Sequence, residues 1–491
     1  MEVGYIYINV TTTTTTTTMT YYYYYYYYYR FVPPKATIIY ISHEWTGTHH
    51  ADPKGSQTHV LAAVLERLSR GETKGVHVDP RYEIAFKVQA NTFGNEWIEL
   101  LKDAYIWFDW FSIPQSSSAM NDRVKAIRSI RSYITKSSFV LVLAPGCVHE
   151  DKIDTRTNHK ACLGYRTWRL KAKSVLEMYL SFFLRKFEEE SVTKNVLLVQ
   201  SVKGEPQWLP DAFCMRLRVG LSDFDTSFGD RVLARNVLSF AIKYKVALFR
   251  TQGKILLYRF FICLRRWFLH NLAGGERVHK KYLKQVRQLL LWGQGDKEWI
   301  DRDGISILVY LALLGNVTVM KQCLESLPKV EAVLEQPVKT NKLTCFGIIP
   351  SDKVLRIAMQ FSSPEIVSLL LDHGANPNPK SPTGYASLSN TLTHTRTHTQ
   401  TQNKIYRFDN FMVACMMNNI NNVTFWLKRF PEYDFAKATK PFGAHPLGVS
   451  MNSGPRRMDL VKILFNEKTV RVCGVSGKLS TTYFFGGLFT P

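Results

Sequence analysis

The 491-residue sequence has few cysteines, and none belongs to a closely spaced pair. No two of its 8 cysteines are separated by only two residues, the spacing that many zinc and redox motifs use. Cys147, His149, His159 and Cys162 have the ligand count for zinc, but their spacing fits no finger type. We therefore favour ordinary loop residues and predict no metal site. The scattered cysteines and the lack of a secretory signal predict a reducing, cytoplasmic location.

Phosphate-binding and hydrolytic signatures are also missing. The 28 glycines form no glycine-rich phosphate loop, and no Ser-His-Asp order typical of hydrolases is present. Arg259 and the pair Arg265-Arg266 interrupt the only apolar run that resembles a membrane span. These absences argue against a kinase, an NTPase, a hydrolase and a transmembrane segment.

Acidic residues are too few to balance the basic ones. The sequence contains 63 Lys and Arg against 40 Asp and Glu, a formal net charge of +23, and Glu276 is the only acid between Lys243 and Arg287. We interpret residues 243–287 as a basic helical linker whose aromatic residues pack inward. Two alternatives stay open: a helix on an anionic membrane surface and, less favoured, contact with nucleic acid.

Threonine and tyrosine are abundant because of two homopolymers, Thr11 to Thr18 and Tyr21 to Tyr29. Such runs cannot present a distinct face to a core, although both residue types favour extended structure. We expect no defined function in residues 1–30. The Thr/His-rich tract at 391–402 has the same character, and we assign it to a loop.

The stretch Ala104 to Gln115, AYIWFDWFSIPQ, predicts a central parallel strand buried on both faces, with Asp109 near its middle. Residues 121–135 have the apolar spacing of an amphipathic helix, and Phe139 to Ala144 reads as a second buried strand. Strand, helix and strand in this order predict a right-handed parallel crossover. In such sheets, polar groups at the carboxyl ends of the strands are where a ligand binds.

Further elements complete the prediction of an α/β domain. We predict other strands at 36–41, 195–202 and 213–219, helices at 55–69, 96–102 and 167–190, and a polar loop at 146–165.

Three short motifs resemble the Toll/interleukin receptor (TIR) superfamily and its heterokaryon-incompatibility-like relatives. They are SHEW at 42–45, the strand pattern at Trp107, Asp109, Ile113 and Gln115, and WRLKAKSVLE at 168–177. The resemblance covers about residues 36–220. It implies a flavodoxin-like parallel sheet.

The same resemblance implies a chemistry. Some TIR domains cleave the nicotinamide bond of NAD with one glutamate, and the matching position is Glu177, so NAD is a candidate substrate. The neighbouring cleft residues would be Ser42, His43, Trp45, Asp109, Gln115 and Trp168. The Trp-Cys pair usual before the glutamate is Lys173-Ser174 here, which weakens the analogy. The alternatives to a catalytic site are a solvent-exposed Glu177 that pairs with Lys173 and a buried Asp109 with a structural role.

The second half of the chain reads as a repeat array from Trp299 onward. Residues 365–378, EIVSLLLDHGANPN, resemble the second helix and the following turn of an ankyrin repeat, and about three more degenerate units precede or follow them. Ankyrin solenoids bind proteins and carry no chemistry of their own.

These patterns predict an α/β plus all-α protein with five segments. They are a low-complexity segment at 1–30, a TIR-like domain at 31–225, a basic helical linker at 226–295, ankyrin repeats at 296–475 with an insertion at 390–404, and a tail at 476–491. We expect a signalling or interaction protein whose repeats bind a protein partner. The alternatives are an NAD-cleaving enzyme and a membrane-surface scaffold.

Overall fold

The structure of the chain is a computed structural model. It describes residues 8–12, 17–19, 36–73, 76–78, 96–101, 104–113, 115–155, 157–184, 196–209, 215–224, 228–272, 283–293, 299–377, 409–433, 446–451 and 457–464. The Thr/His tract, the tail and much of the homopolymer segment lie outside these ranges.

The chain divides into two compact units. The first consists of residues 1–277 together with 341–349, and the second consists of residues 278–340 together with 350–491. The predicted segment boundaries themselves stay a prediction.

The first unit contains a mixed sheet. In the described residues its strands are β1 Ile8–Thr12, β2 Thr17–Met19, β3 Ile38–His43, β4 His77–Val78, β5 Tyr105–Trp107, β6 Phe139–Leu143, β9 Val196–Val199 and β10 Gln207–Trp208, while β7 Cys147–Asp154 and β8 His159–Leu163 form a separate hairpin. The strand order across the sheet is β2-β1-β5-β3-β6-β9-β10-β4. Strands β5, β3, β6 and β9 are mutually parallel neighbours, whereas β1 and β10 pair antiparallel with this parallel set.

The predicted central strand at 104–115 is wrong in two respects. The strand ends at Trp107, and Asp109–Ser112 forms a short helix. An acid in a first helical turn is favoured by the helix dipole, whereas inside a doubly buried strand it would be desolvated. The central parallel strands are β3 and β6, each of which pairs with a parallel strand on both sides, while β5 lies at the margin of the parallel set.

The helices described in the first unit are α1 Ser56–Ser69, α2 Glu96–Leu101, α3 Asp109–Ser112, α4 Met120–Arg128, α5 Ile130–Lys136, α6 Tyr165–Trp168, α7 Ala172–Leu184, α8 Phe228–Thr251 and α9 Ile255–Phe268. Helices α1 and α2 agree with the predicted ones to within a residue or two at their ends.

Four other predictions for this unit need correction. The single helix predicted at 167–190 is two helices, because backbone hydrogen bonds join Leu170 and Ala172 to Asp223 at the break. The helix predicted at 121–135 is likewise broken at Ser129. The predicted loop at 146–165 contains the β7–β8 hairpin, and the described residues 215–219 contain no strand.

The two faces of β3 have different surroundings. Ile39 and Ile41 belong to an apolar core with Val60 and Val64 of α1. Tyr40 faces the other way, where its ring stacks on Trp107 with centroids 4.4 Å apart. Alternation along the strand therefore directs Ser42 to the side of Tyr40 and His43 to the side of α1.

Helices α8 and α9 come from the segment predicted as a basic linker. They pack against each other, and α8 also packs against α7. The aromatic residues of α9, including Phe260, Phe261 and Trp267, are buried, so the prediction that they pack inward is confirmed. The segment thus contributes to the core of the first unit.

The second unit is a row of helix pairs. Its described pairs are α11 Ile307–Leu314 with α12 Val317–Glu325, α14 Val354–Phe361 with α15 Pro364–Asp372, α16 Asn410–Met416 with α17 Ile420–Arg429, and α18 Pro446–Met451 with α19 Arg457–Leu464; α10 Leu283–Leu289 precedes them, and α13 Val330–Leu334 follows the first pair. First helices contact first helices and second helices contact second helices in chain order.

Buried asparagines join neighbouring pairs of this row. Asn422 Nδ2 lies 3.1 Å from both Ala358 O and Met359 O and 3.0 Å from Ser362 O. Asn419 donates to Ser362 O at 3.0 Å. These amides donate to carbonyls in the last turn of α14 and to Ser362 O just after it, where helical carbonyls run out of partners further along the helix. The third pair is thereby joined to the second by polar as well as apolar contacts.

We expect Asn422→Ala to lower the free energy of unfolding by about 1 to 3 kcal/mol, because it removes the buried amide hydrogen bonds that join the third helix pair to the second. The neighbouring Asn421 is exposed, so Asn421→Ala is a matched control that should change stability by less than about 0.5 kcal/mol. Urea unfolding followed by circular dichroism measures both. Equal effects of the two changes would contradict the role given to Asn422.

Candidate functional site

Polar side chains converge at the carboxyl end of β3 from several elements. On one side of the strand, Glu177 of α7 accepts hydrogen bonds from Tyr40 Oη to Oε1 at 2.8 Å and from Ser42 Oγ to Oε2 at 2.5 Å. Trp168 Nε1 donates to Ser42 Oγ at 3.1 Å. The Glu177 residue is only 1% exposed, so both carboxylate oxygens are held inside the protein.

Asp109 gathers a second group of donors on the other side of the strand end. Its Oδ1 lies 2.8 Å from His43 Nε2, and its Oδ2 accepts from Trp45 Nε1 at 3.0 Å and from Lys173 Nζ at 2.6 Å. The donors come from the end of β3, the following loop and α7. A carboxylate with this many donors is stabilised in its charged form.

Lys173 links the two groups. Its Nζ also lies 3.9 Å from Glu177 Oε1, one helical turn along α7. The Lys173 side chain is 46% exposed, so it reaches from solvent towards two buried acids. Hydrogen bonds and this ion pair therefore connect Tyr40 on one face of β3 with His43 on the other.

A further layer fixes the orientation of His43. Gln57, near the start of α1, donates through Nε2 to Glu44 O at 2.9 Å, which turns its Oε1 towards His43 Nδ1, also at 2.9 Å. The Glu44 carboxylate accepts from Thr167 Oγ1 at 2.5 Å. The His43 ring also packs on Phe108, with centroids 4.3 Å apart.

Burial and charge move the pKa values of this cluster in opposite directions. Burial alone would raise the pKa of Asp109, but Lys173 and His43 hold that pKa well below its usual range. Burial raises the pKa of Glu177, and Lys173, Ser42 and Tyr40 only partly offset it. Despite desolvation, Asp109 and Glu177 raise the pKa of Lys173. The cluster thus combines one acid whose pKa is lowered by its neighbours with one whose pKa is raised by burial.

The structure brings most of the predicted site residues together. Ser42, His43, Trp45, Asp109, Trp168 and Glu177 all belong to the network. Gln115 contacts only the backbone beside the network: its Nε2 donates to Ile113 O at 2.8 Å and lies 3.4 Å from Asp109 O, not at the Asp109 carboxylate. Glu177 lies in the interior and not on a solvated helix face, although its predicted proximity to Lys173 is confirmed.

Three members of the network were not among the predicted site residues: Tyr40, Gln57 and Lys173. Tyr40 could have been found from its position two residues before Ser42, since alternate residues of a strand share a face. The sequence predicts Lys173 as a neighbour of Glu177 and shows it as a departure from the TIR motif, but it does not indicate the contact with Asp109. No sequence signal indicates the pairing of Gln57 with His43.

The four residues considered as zinc ligands lie on the β7–β8 hairpin. His149 Nδ1 accepts from the backbone amides of Asp151 and Lys152, both at 3.1 Å, where the strand register shifts. Burial lowers the pKa of His149. Within the parts of the chain that the structure describes, no group of three or more His, Cys, Asp or Glu residues could hold a metal ion.

Comparison with protein-family models and with curated proteins finds no match to this chain. None of the helices in the described ranges combines the length and apolar character needed to cross a bilayer.

We expect Asp109→Asn to destabilise the protein by about 3 kcal/mol or more, because it leaves His43 and Lys173 without their shared counter-charge. Asp122→Asn is the matched control, since Asp122 pairs with Lys125 on an exposed helix surface and should contribute less than about 1 kcal/mol. Thermal and chemical unfolding measure both. A loss no larger for Asp109 than for Asp122 would show that the buried network is not stabilising.

The stability of the Glu177→Gln variant, measured relative to the unchanged protein, should increase as the pH rises from about 4 to 7. The folded state raises the pKa of Glu177 above its ordinary value of 4.5, so ionisation in that interval favours the unfolded chain. Glutamine has no charge to bury and can still bond Tyr40 and Ser42. The melting-temperature difference between the two proteins, measured across this interval, reports the effect, and a difference that moves the other way would contradict the raised pKa.

Proposed function

We propose that this is a signalling or interaction protein whose second unit binds a protein partner and thereby recruits the first. The observation that carries the proposal is the row of four helix pairs, in which first helices pack on first helices and second on second. Such stacks expose an extended surface formed by turns and first helices, and they bind other proteins there.

Ankyrin-type repeats are the closest description of this row, on two grounds. The motif at 365–378 resembles the ankyrin second helix and turn, and Gly374 within it has φ +96°, the left-handed conformation expected of a helix-ending glycine. Buried small residues also recur in first helices, at Ala312, Ala358 and Ala414. We expect the partner surface on the turns that precede the first helices.

Arg302 and Lys339 lie on two of these turns. Both are exposed, and the Lys339 side chain lies beside Gly304, so the turn tips are neighbours. The turn at 300–306 is closed by a backbone bond from Asp301 to Ile305 O, and Asp301 also accepts from Tyr310 Oη at 2.6 Å. Rigid turns with exposed cations are suited to an acidic partner surface.

The first unit supports a TIR-like assignment through its strand order. Numbered along the chain, its four parallel strands lie in the order second, first, third, fourth, which is the flavodoxin-like order. We propose that this unit is the signalling module. The alternative of NAD cleavage by Glu177 is less favoured, because the carboxylate is buried and both its oxygens accept hydrogen bonds from the protein.

Affinity capture with the full-length protein as bait, followed by mass spectrometry, tests the partner surface. The double change Arg302→Glu with Lys339→Glu should lower recovery of a specific partner about tenfold, as reversal of central interface charges commonly does. Lys428→Glu, at an exposed position of the second helix α17, is the charge-matched control and should retain the partner. Identical recovery with all three baits would contradict the assigned surface.

A nicotinamide-release assay separates this proposal from the enzymatic alternative. We expect the full-length protein incubated with NAD to release no more nicotinamide than its Glu177→Ala variant. Release by the unchanged protein that is lost in Glu177→Ala would establish the NAD-cleaving function instead.

A further inference from the structure

Helix α8 has one buried side and one exposed side from Arg231 to Thr251, the part whose side chains the structure describes. Its buried side packs against α7 and α9. On the opposite side Phe240 is 48% exposed and Tyr244 is 47% exposed, and Lys243 and Arg250 are exposed as well. At 3.6 residues per turn these positions fall within an arc of about 120°. Two half-exposed aromatic rings one turn apart therefore share a face with two cations.

A cation from another element lies on the same face. The guanidinium carbon of Arg131, in α5, lies 3.8 Å from the centre of the Phe240 ring. The sequence has no Asp or Glu at all from 231 to 275, and none from 123 to 149. We call Arg131, Phe240, Lys243, Tyr244 and Arg250 the basic aromatic face.

We propose that the basic aromatic face binds the surface of an anionic lipid bilayer, with α8 lying parallel to the membrane. A tyrosine ring with its polar hydroxyl is favoured at the level of the lipid head groups, an exposed phenylalanine ring can enter the boundary with the acyl chains, and lysine and arginine are attracted to anionic lipids. The helix contains 24 residues, which corresponds to about 36 Å of surface contact. The helix would lie on the bilayer and not span it.

Charge complementarity and shape favour this occupant over an acidic protein. Four of the five residues lie on the exposed side of α8 and the fifth lies on the adjoining α5, and a flat bilayer can contact such a helix side without a complementary groove. The half-exposed rings add an apolar component that the head-group region of a bilayer accommodates and that an acidic protein surface does not match. The inference concerns the first unit and does not depend on partner binding by the second.

Co-sedimentation of the full-length protein with vesicles tests the proposal. We expect binding to phosphatidylcholine vesicles that contain phosphatidylserine, weak binding to phosphatidylcholine alone, and a steep decrease with added salt. Lys243→Glu should weaken partitioning about tenfold to thirtyfold, because it changes two units of charge at the surface. Phe240→Ser with Tyr244→Ser should also weaken it, and that loss should persist at high salt.

Two control variants make the result specific. Val148 and Ile153 are exposed apolar residues of the β7–β8 hairpin, so Val148→Ser with Ile153→Ser removes comparable apolar surface elsewhere. Lys428→Glu makes the same charge change in the second unit. Both controls should bind vesicles as the unchanged protein does, and circular dichroism should show that every variant is folded.

Three outcomes would overturn the proposal. The first is a lack of binding to the phosphatidylserine vesicles. The second is equal binding by the face variants and the controls. The third is binding to soluble polyglutamate that Lys243→Glu abolishes while vesicles are ignored, which would identify the face as a docking surface for an acidic polypeptide.

Discussion

The buried carboxylate of Asp109 is the constraint on which the first unit depends. A charge removed from water must be paired and hydrogen-bonded, or it costs several kcal/mol. Asp109 meets this requirement with His43 at the end of β3, Trp45 in the next loop and Lys173 on α7. These elements must therefore keep one arrangement relative to the strand end. Lys173 extends the constraint to Glu177 and, through it, to the opposite face of β3.

This arrangement affects how the site can act. Nearly all of its polar atoms are bonded to one another, and Glu177 is held by Tyr40 and Ser42 away from solvent. Such a network stabilises a unique packing of strand and helix more readily than it binds a substrate. The surfaces that we propose for recognition are therefore elsewhere, on the turns of the helix-pair row and on the basic aromatic face of α8.

The two units use buried polar groups in related ways. In the first unit, Asp109, Glu177 and their donors connect the end of β3 to the loop that follows it, to α3 and to α7. In the second, the amides of Asn419 and Asn422 join one helix pair to the end of the preceding first helix. Apolar packing supplies most of the stability in both cases. The polar contacts are directional, so they select one register among several that apolar packing would accept.

The sequence by itself determined the kinds and approximate positions of many elements, because local periodicity reflects burial on one face. The strands β3, β6 and β9, helix α1 and the helix motif at 365–372 were all recognisable in this way, and the spacing of Lys173 and Glu177 predicted their proximity. Most of the candidate site residues were also named, but only through the order of short motifs. The sequence did not indicate which of these residues contact one another.

Only the tertiary structure decided which side chains became partners and which faces stayed exposed. Asp109 and Lys173 are 64 residues apart in the chain, and Tyr40 and Glu177 are 137 apart, so no local pattern encodes either pair. The turn after Trp107, the hairpin at 147–163 and the exposed rings of Phe240 and Tyr244 depend in the same way on what packs beside them. Burial is a property of the assembled chain, and it decides whether an acid is a solvated surface group or the centre of a network.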